Sequence, residues 1–181
     1  PMFAAPSDQP LPRLGNPRKF AQQGVRLSGQ VPLSALERLG EALVTNEGQA
    51  EVALAFGISE ERKLVVRGRV GAELVLTCQR CLGPVTVPID ADIALAIVPD
   101  EATAKNLPSE LDPWLVAEEE INADLYAMVE DELLLNLPAV AYHSELCIDP
   151  ETLSIGKPET ASQDKANPFQ VLEQLKGTPK K

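Results

Sequence analysis

Two long strand-like runs, Lys63 to Thr77 and Val85 to Ile97, are separated only by a short segment holding Cys78-Gln79-Arg80-Cys81-Leu82. The first run carries Leu64, Val65, Val66, Val70, Leu74, Val75 and Leu76, and the second alternates Val85, Val87, Ile89 and then Ile93, Leu95, Ile97. Both match β patterning, so together they predict an antiparallel hairpin with the CxxC at its tip. Gly68 and Gly71 mark a candidate bulge or bend in the first run. A CxxC puts two thiols on one tight turn, near enough to share a metal or to oxidise. Methionines aside, the other soft ligands are His143 and Cys147. Cys78, Cys81, His143 and Cys147 would complete a Cys3His set, which suits a structural zinc. The alternative is two packed thiols beside surface residues. The residues by themselves leave both open.

The rest of the chain reads as smaller pieces around this hairpin. Gly24 to Val31 is a strand, and Pro32 to Val44 a helix with Leu33, Leu36, Leu39, Ala42 and Leu43 on one side. Ala50 to Phe56 is a strand. Pro99 to Glu120 is an acidic loop, long for a compact domain, with Trp114 as the anchor that pins it. Ile121 to Leu137 is the strongest helix, capped by Asn122. Its stripe is Ile121, Leu125, Met128, Val129 and Leu133, while Asp124, Glu130 and Asp131 face away. Pro138 stops it. The expected organisation is a flexible arm over 1–19, a single domain over 20–148, a linker over 149–166 and a short helix over 167–176. The expected fold is α+β: an antiparallel, partly barrel-like sheet packed with two or three helices, with flexible N- and C-terminal arms.

Charge divides the chain more sharply than its net of −11 suggests. Residues 1–83 carry ten basic and eight acidic side chains, residues 84–156 one basic and sixteen acidic, and residues 157–181 five and three. The acidic middle would repel a polyanion and attract a basic protein. Trp114, Glu118, Glu119, Glu120, Asp124, Asp131, Phe169 and Leu172 are the candidate partner-binding residues. Direct RNA contact is the alternative, through Arg67 and Arg69 on one strand face together with Arg80.

Catalysis has little to stand on. The chain lacks a phosphate-binding glycine loop, GxSxG and HExxH, and it has one histidine. The CxxC is followed by a strand rather than a helix, unlike thioredoxin-type motifs. No catalytic residue and no small-molecule substrate are expected, and a zinc- or thiol-dependent enzyme is the remotest reading. The first twenty residues hold five prolines and no apolar stretch, so no secretory signal is expected. With no apolar run of about 18 residues, no membrane span is expected either. An odd cysteine count favours a reducing, cytoplasmic setting.

Three ordered motifs resemble the YceD family of large ribosomal RNA subunit accumulation proteins. They are Gly71 to Leu82 followed by Pro84, Ile121 to Pro138 leading to His143 and Cys147, and Asn167 to Lys176. Phe20-Ala-Gln-Gln-Gly24 and the Leu33 segment fit as well. The resemblance implies a cytoplasmic, non-enzymatic ribosome-biogenesis factor for 23S rRNA synthesis, processing or stability. It implies a basic ribosomal or assembly protein as partner, with ribosomal RNA as a further candidate. Relatives elsewhere carry extra cysteines after the long helix, where this chain has His143 and Cys147. The cofactor expectation is therefore none, or one structural zinc.

Overall fold

A computed structural model describes residues 9–149. The chain divides into two units, Pro1–Glu145 and Leu146–Lys181. The first unit is built on a five-stranded sheet in the order β2-β3-β4-β5-β6, with a separate two-stranded pair β1-β7. The sheet strands are β2 (Arg26–Pro32), β3 (Gln49–Ile58), β4 (Leu64–Thr77), β5 (Pro84–Val98) and β6 (Asp112–Leu115). β2 to β5 pair antiparallel, whereas β6 runs parallel to β5. The fold is α+β, as expected. The sheet is open rather than barrel-like, because β2 and β6 lie at opposite margins.

Period-2 alternation sorts the two faces. Val66, Val70, Ala72 and Leu74 of β4 point inward beside Ile89, Ala91, Ile93 and Leu95 of β5, all buried. Arg67, Arg69, Glu73, Asp90 and Asp92 point outward and are exposed. Pairing runs without interruption from Glu51↔Gly71 to Ile58↔Leu64 and from Val65↔Ala96 to Thr77↔Pro84. The bulge expected at Gly68 or Gly71 is therefore absent from these ladders. Gly68 is small for another reason, since a Cβ there would sit 2.2 Å from the Ala53 carbonyl oxygen.

Helices cover the inner face. α1 (Pro17–Gln23) is set by local chemistry: Asn16 Oδ1 accepts the Lys19 N–H at 2.9 Å, Pro17 opens the first turn, and Gly24 closes it at φ 64°. Phe20 of α1 meets Phe56 of β3 edge-on, with centroids 5.3 Å apart. Part of the expected N-terminal arm is thus built into the fold. Leu11 is 2% exposed, its N–H donates to the Gln30 carbonyl at 2.9 Å, and Gln30 returns a bond to the Gln9 carbonyl. β1 (Leu14–Gly15) pairs with β7 (Ala123–Asp124). Burial of Leu11 outweighs the loop-like proline content of this stretch.

The expected helix over 32–44 is reduced to a 3-10 turn at Leu33–Ala35 and the single turn α2 (Glu37–Gly40). Leu33, Leu36 and Leu39 are all buried, and their spacing of three belongs to a 3-10 turn rather than to a sustained α-helix. Leu36, at φ −105° and ψ 86°, separates the two pieces. The acidic segment 99–120 also has more structure than a loop. It forms α3 (Glu101–Ala104), then β6, and a small apolar cluster of Val65, Ala96, Val98 and Leu111 sits beneath it.

α4 (Leu125–Leu135) is the long helix. Its cap is Asp124 rather than Asn122: Oδ1 accepts the N–H groups of Tyr126 at 2.8 Å and Ala127 at 3.2 Å. Ile121 lies outside the helix and is 69% exposed, so it does not join the stripe of Leu125, Met128, Val129 and Leu133. Glu130 does not face away. It is 6% exposed and binds α2. No described helix is long and apolar enough to cross a membrane. The linker expected over 149–166 from residue 150 on, and the helix expected over 167–176 with Phe169 and Leu172, lie outside the described residues.

Candidate functional site

The CxxC sits at the hairpin tip between β4 and β5. Cys78 is fully buried and opens a tight knuckle: its N–H donates to the Gly83 carbonyl at 2.8 Å, and its carbonyl accepts the Leu82 N–H at 2.9 Å. Leu82 turns the chain at φ 60° and is 74% exposed. The knuckle aims backbone donors at both sulfurs. Arg80 N–H points to Cys78 Sγ, and Gly83 N–H to Cys81 Sγ, each at 3.4 Å.

Residues following α4 return to this tip. Gln79 N–H donates to the Ala141 carbonyl at 2.9 Å. His143 Nδ1 lies 3.6 Å from Cys81 Sγ, and its Nε2 lies 3.0 Å from the Pro84 carbonyl. A carbonyl can only accept, so Nε2 carries the proton and Nδ1 presents its lone pair toward Cys81. Arg80 stacks over Tyr142 at 5.3 Å and donates to the Glu145 carbonyl at 3.2 Å. Its guanidinium thus braces the knuckle, on a different element from Arg67 and Arg69.

Burial pushes the Cys78 thiol up. The backbone N–H groups of Cys81, Arg80 and His143 outweigh that and lower it from 9.0 to about 5. A sulfur held as thiolate by backbone donors, beside an imidazole nitrogen freed by its other hydrogen bond, is the donor chemistry a zinc site uses. One ligand atom each from Cys78, Cys81 and His143 lies within 4.8 Å of the others. At Zn–S of about 2.3 Å, tetrahedral ligands stand about 3.8 Å apart, so this group could hold one ion after a small contraction. All three cysteines are free of disulfides.

The candidate partner residues divide by what already engages them. Glu118, Glu119 and Glu120 are exposed. Their segment is fixed by Arg18 of α1, which donates to the carbonyls of Val116, of Ala117 at 2.9 Å and of Glu120 at 3.0 Å. Trp114 is half-buried on β6, opposite Ile97 and packed on the core, which fits the anchoring role. Asp124 caps α4 and pairs with Arg13 at 3.0 Å, and Asp131 pairs with Arg38 at 2.7 Å. Arg69 forms a bidentate pair with Asp90, which raises the arginine and lowers the carboxylate, so of the two strand arginines proposed for RNA it is already neutralised.

Sequence reasoning missed Arg18, Arg38 and Tyr142. Each acts through the segment it meets in space, which no local sequence pattern shows.

Comparison with known proteins identifies the family. The family described as "Large ribosomal RNA subunit accumulation protein YceD" matches residues 66–176, from β4 onward. The protein of that name from Haemophilus influenzae is 33% identical over 170 residues, covering 92% of this chain and 96% of its own length. No solved structure matches. A similarity of that extent includes the knuckle, α4 and the return to His143, and the chain belongs to the YceD family.

Proposed function

We propose that this protein is a non-enzymatic, cytoplasmic ribosome-biogenesis factor that supports the synthesis, processing or stability of 23S rRNA by binding a basic ribosomal or assembly protein. The observation that carries the reading is the near full-length similarity to a relative named for large ribosomal RNA subunit accumulation. Electrostatics favours a protein over RNA as the direct partner, since the region 84–156 holds sixteen acidic residues and one basic. In this reading Glu118, Glu119 and Glu120 form the contact, Arg18 keeps their backbone in place, and Trp114 anchors the preceding strand.

Cys78, Cys81 and His143, with Cys147, hold one structural zinc in the same reading. The ion would couple the hairpin tip to the segment after α4 and supply no reaction. Binding of purified basic large-subunit proteins across a salt series tests the partner. Affinity should be highest at low salt and fall as ionic strength rises. Absence of binding at low salt defeats the reading. In cells, loss of the protein should lower mature 23S rRNA relative to 16S.

A further inference from the structure

We infer that the solvent face of the sheet carries a docking trough, across β3, β4 and β5, for an extended lysine- or arginine-rich segment of a partner protein. The inference rests on the reading that the partner is basic, and it adds a contact surface on elements other than the Glu118–Glu120 segment. The trough has a volume of about 1060 Å³, and its lining includes Glu47, Glu51, Arg69, Gly71, Glu73 and Asp90. Four carboxylates thus face one guanidinium. That guanidinium is already bound to Asp90, while Glu47, Glu51 and Glu73 enter no ion pair among the described residues. The surplus is negative, which suits cationic side chains and repels phosphate.

Gly71 gives the trough its shape. Glu51, Gly71 and Asp90 are direct neighbours across three strands. Strands lie about 4.8 Å apart, so the two acidic residues flank a slot about 10 Å wide between Cα positions. Glycine inside a strand costs about 0.5–1 kcal/mol relative to alanine, so its presence asks for a reason. At Gly68 the reason is internal, the 2.2 Å approach of the Ala53 carbonyl. At Gly71 none is found: a Cβ would meet only the Ile89 carbonyl oxygen, at an ordinary 3.7 Å. Its φ is also not positive, unlike Gly24 and Gly48. A strand glycine that the fold does not need leaves room for another backbone to come close. With an acid on either side, that backbone belongs to a basic, extended segment, whose main chain would lie over Gly71 and whose side chains would reach Glu51 and Glu73.

The test is titration of the full chain with a fluorescent decalysine peptide at low salt, comparing wild type with Gly71→Leu, Glu51→Lys, Glu73→Lys and a control, Glu60→Lys/Glu61→Lys, on the exposed turn outside the trough. Gly71→Leu leaves every charge in place and points into open space, so it should keep the wild-type melting temperature. It is expected to weaken binding about fivefold or more, as are the two trough reversals. The control is expected to cost less than about twofold. Unchanged binding by Gly71→Leu overturns the trough, and so does a larger loss in the control than in the trough variants. If decalysine binds none of the proteins, wild type included, the basic-partner reading falls with it. Should Gly71→Leu melt early, Gly71→Val, a better strand former, takes its place under the same criteria.

Discussion

Glu130 of α4 accepts the backbone N–H of Leu39 in α2 at 3.0 Å, through a carboxylate that is almost entirely buried. The other oxygen takes Arg38 Nε at 3.0 Å, and Arg38 also reaches Asp131 at 2.7 Å. One side chain thus satisfies an otherwise orphaned N–H of a one-turn helix and fixes that helix on the long one. Glu130→Ala would strand the buried Leu39 N–H, while Arg38 keeps Asp131. An unsatisfied buried group costs about 1–3 kcal/mol, and a loss in that range is expected by urea denaturation. Glu130→Gln keeps the acceptor and should recover part of it. A loss below about 0.5 kcal/mol for Glu130→Ala would mean that water replaces the carboxylate.

The knuckle predicts a metal dependence. Protein purified without chelator is expected to carry about one zinc per chain by elemental analysis. Stripping the ion should lower the melting temperature, and so should Cys78→Ser or Cys81→Ser, with loss of zinc in each case. Full thiol reactivity in native protein, with no metal detected, would reduce the group to packed thiols.

Gly68 and Gly71 predict opposite responses to the same change. Gly68→Ala forces a methyl against the Ala53 carbonyl and should cost about 1–3 kcal/mol, because the centre of a ladder yields poorly to overpacking. Gly71→Ala should be neutral or slightly stabilising. Thermal melts of the two variants, side by side, check the pair. Equal destabilisation would contradict the distinction.

Glu132 predicts a pH effect. Burial first, then the charges of Asp112 and Asp131, raise its carboxyl above the ordinary 4.5. A carboxyl raised in the fold loses stability as pH climbs through its folded value, and it contributes no penalty below its unfolded value. Glu132→Gln should therefore be more stable than wild type at pH 7, by a few tenths of a kcal/mol because the side chain is only partly buried. The advantage should vanish near about pH 4. An advantage that persists there would point to packing rather than charge.

Much of the hairpin was legible in the sequence because its signal is local. Alternation in β4 and β5 spans many residues, and both inward rows are apolar, so strand type and facing follow directly. The knuckle was legible for the same reason, with both cysteines on one turn. The N-terminal segment was not. Its prolines read as an arm, while Leu11 is held by Gln30, far along the chain. The three leucines of 33–39 fit an α stripe almost as well as a 3-10 turn. β6 escaped notice because a four-residue parallel strand carries no pattern of its own and exists through Ile97 and Val98. Glu130 read as a surface acid because its partners, Arg38 and Leu39, are contributed by a separate element. Within the candidate site the ligand types could be read, but the convergence of His143 on Cys81 depends on the turn after Pro138.

The margins of the open sheet decide how this chain behaves among copies of itself. An open sheet exposes unpaired N–H and C=O groups that can template another strand. At β2 the bonds between Gln30 and Gln9–Leu11 occupy the middle of that margin. At the other, β6 is four residues long and includes Pro113, which has no N–H to donate. Both margins are therefore poor templates for strand addition by a second copy of the chain.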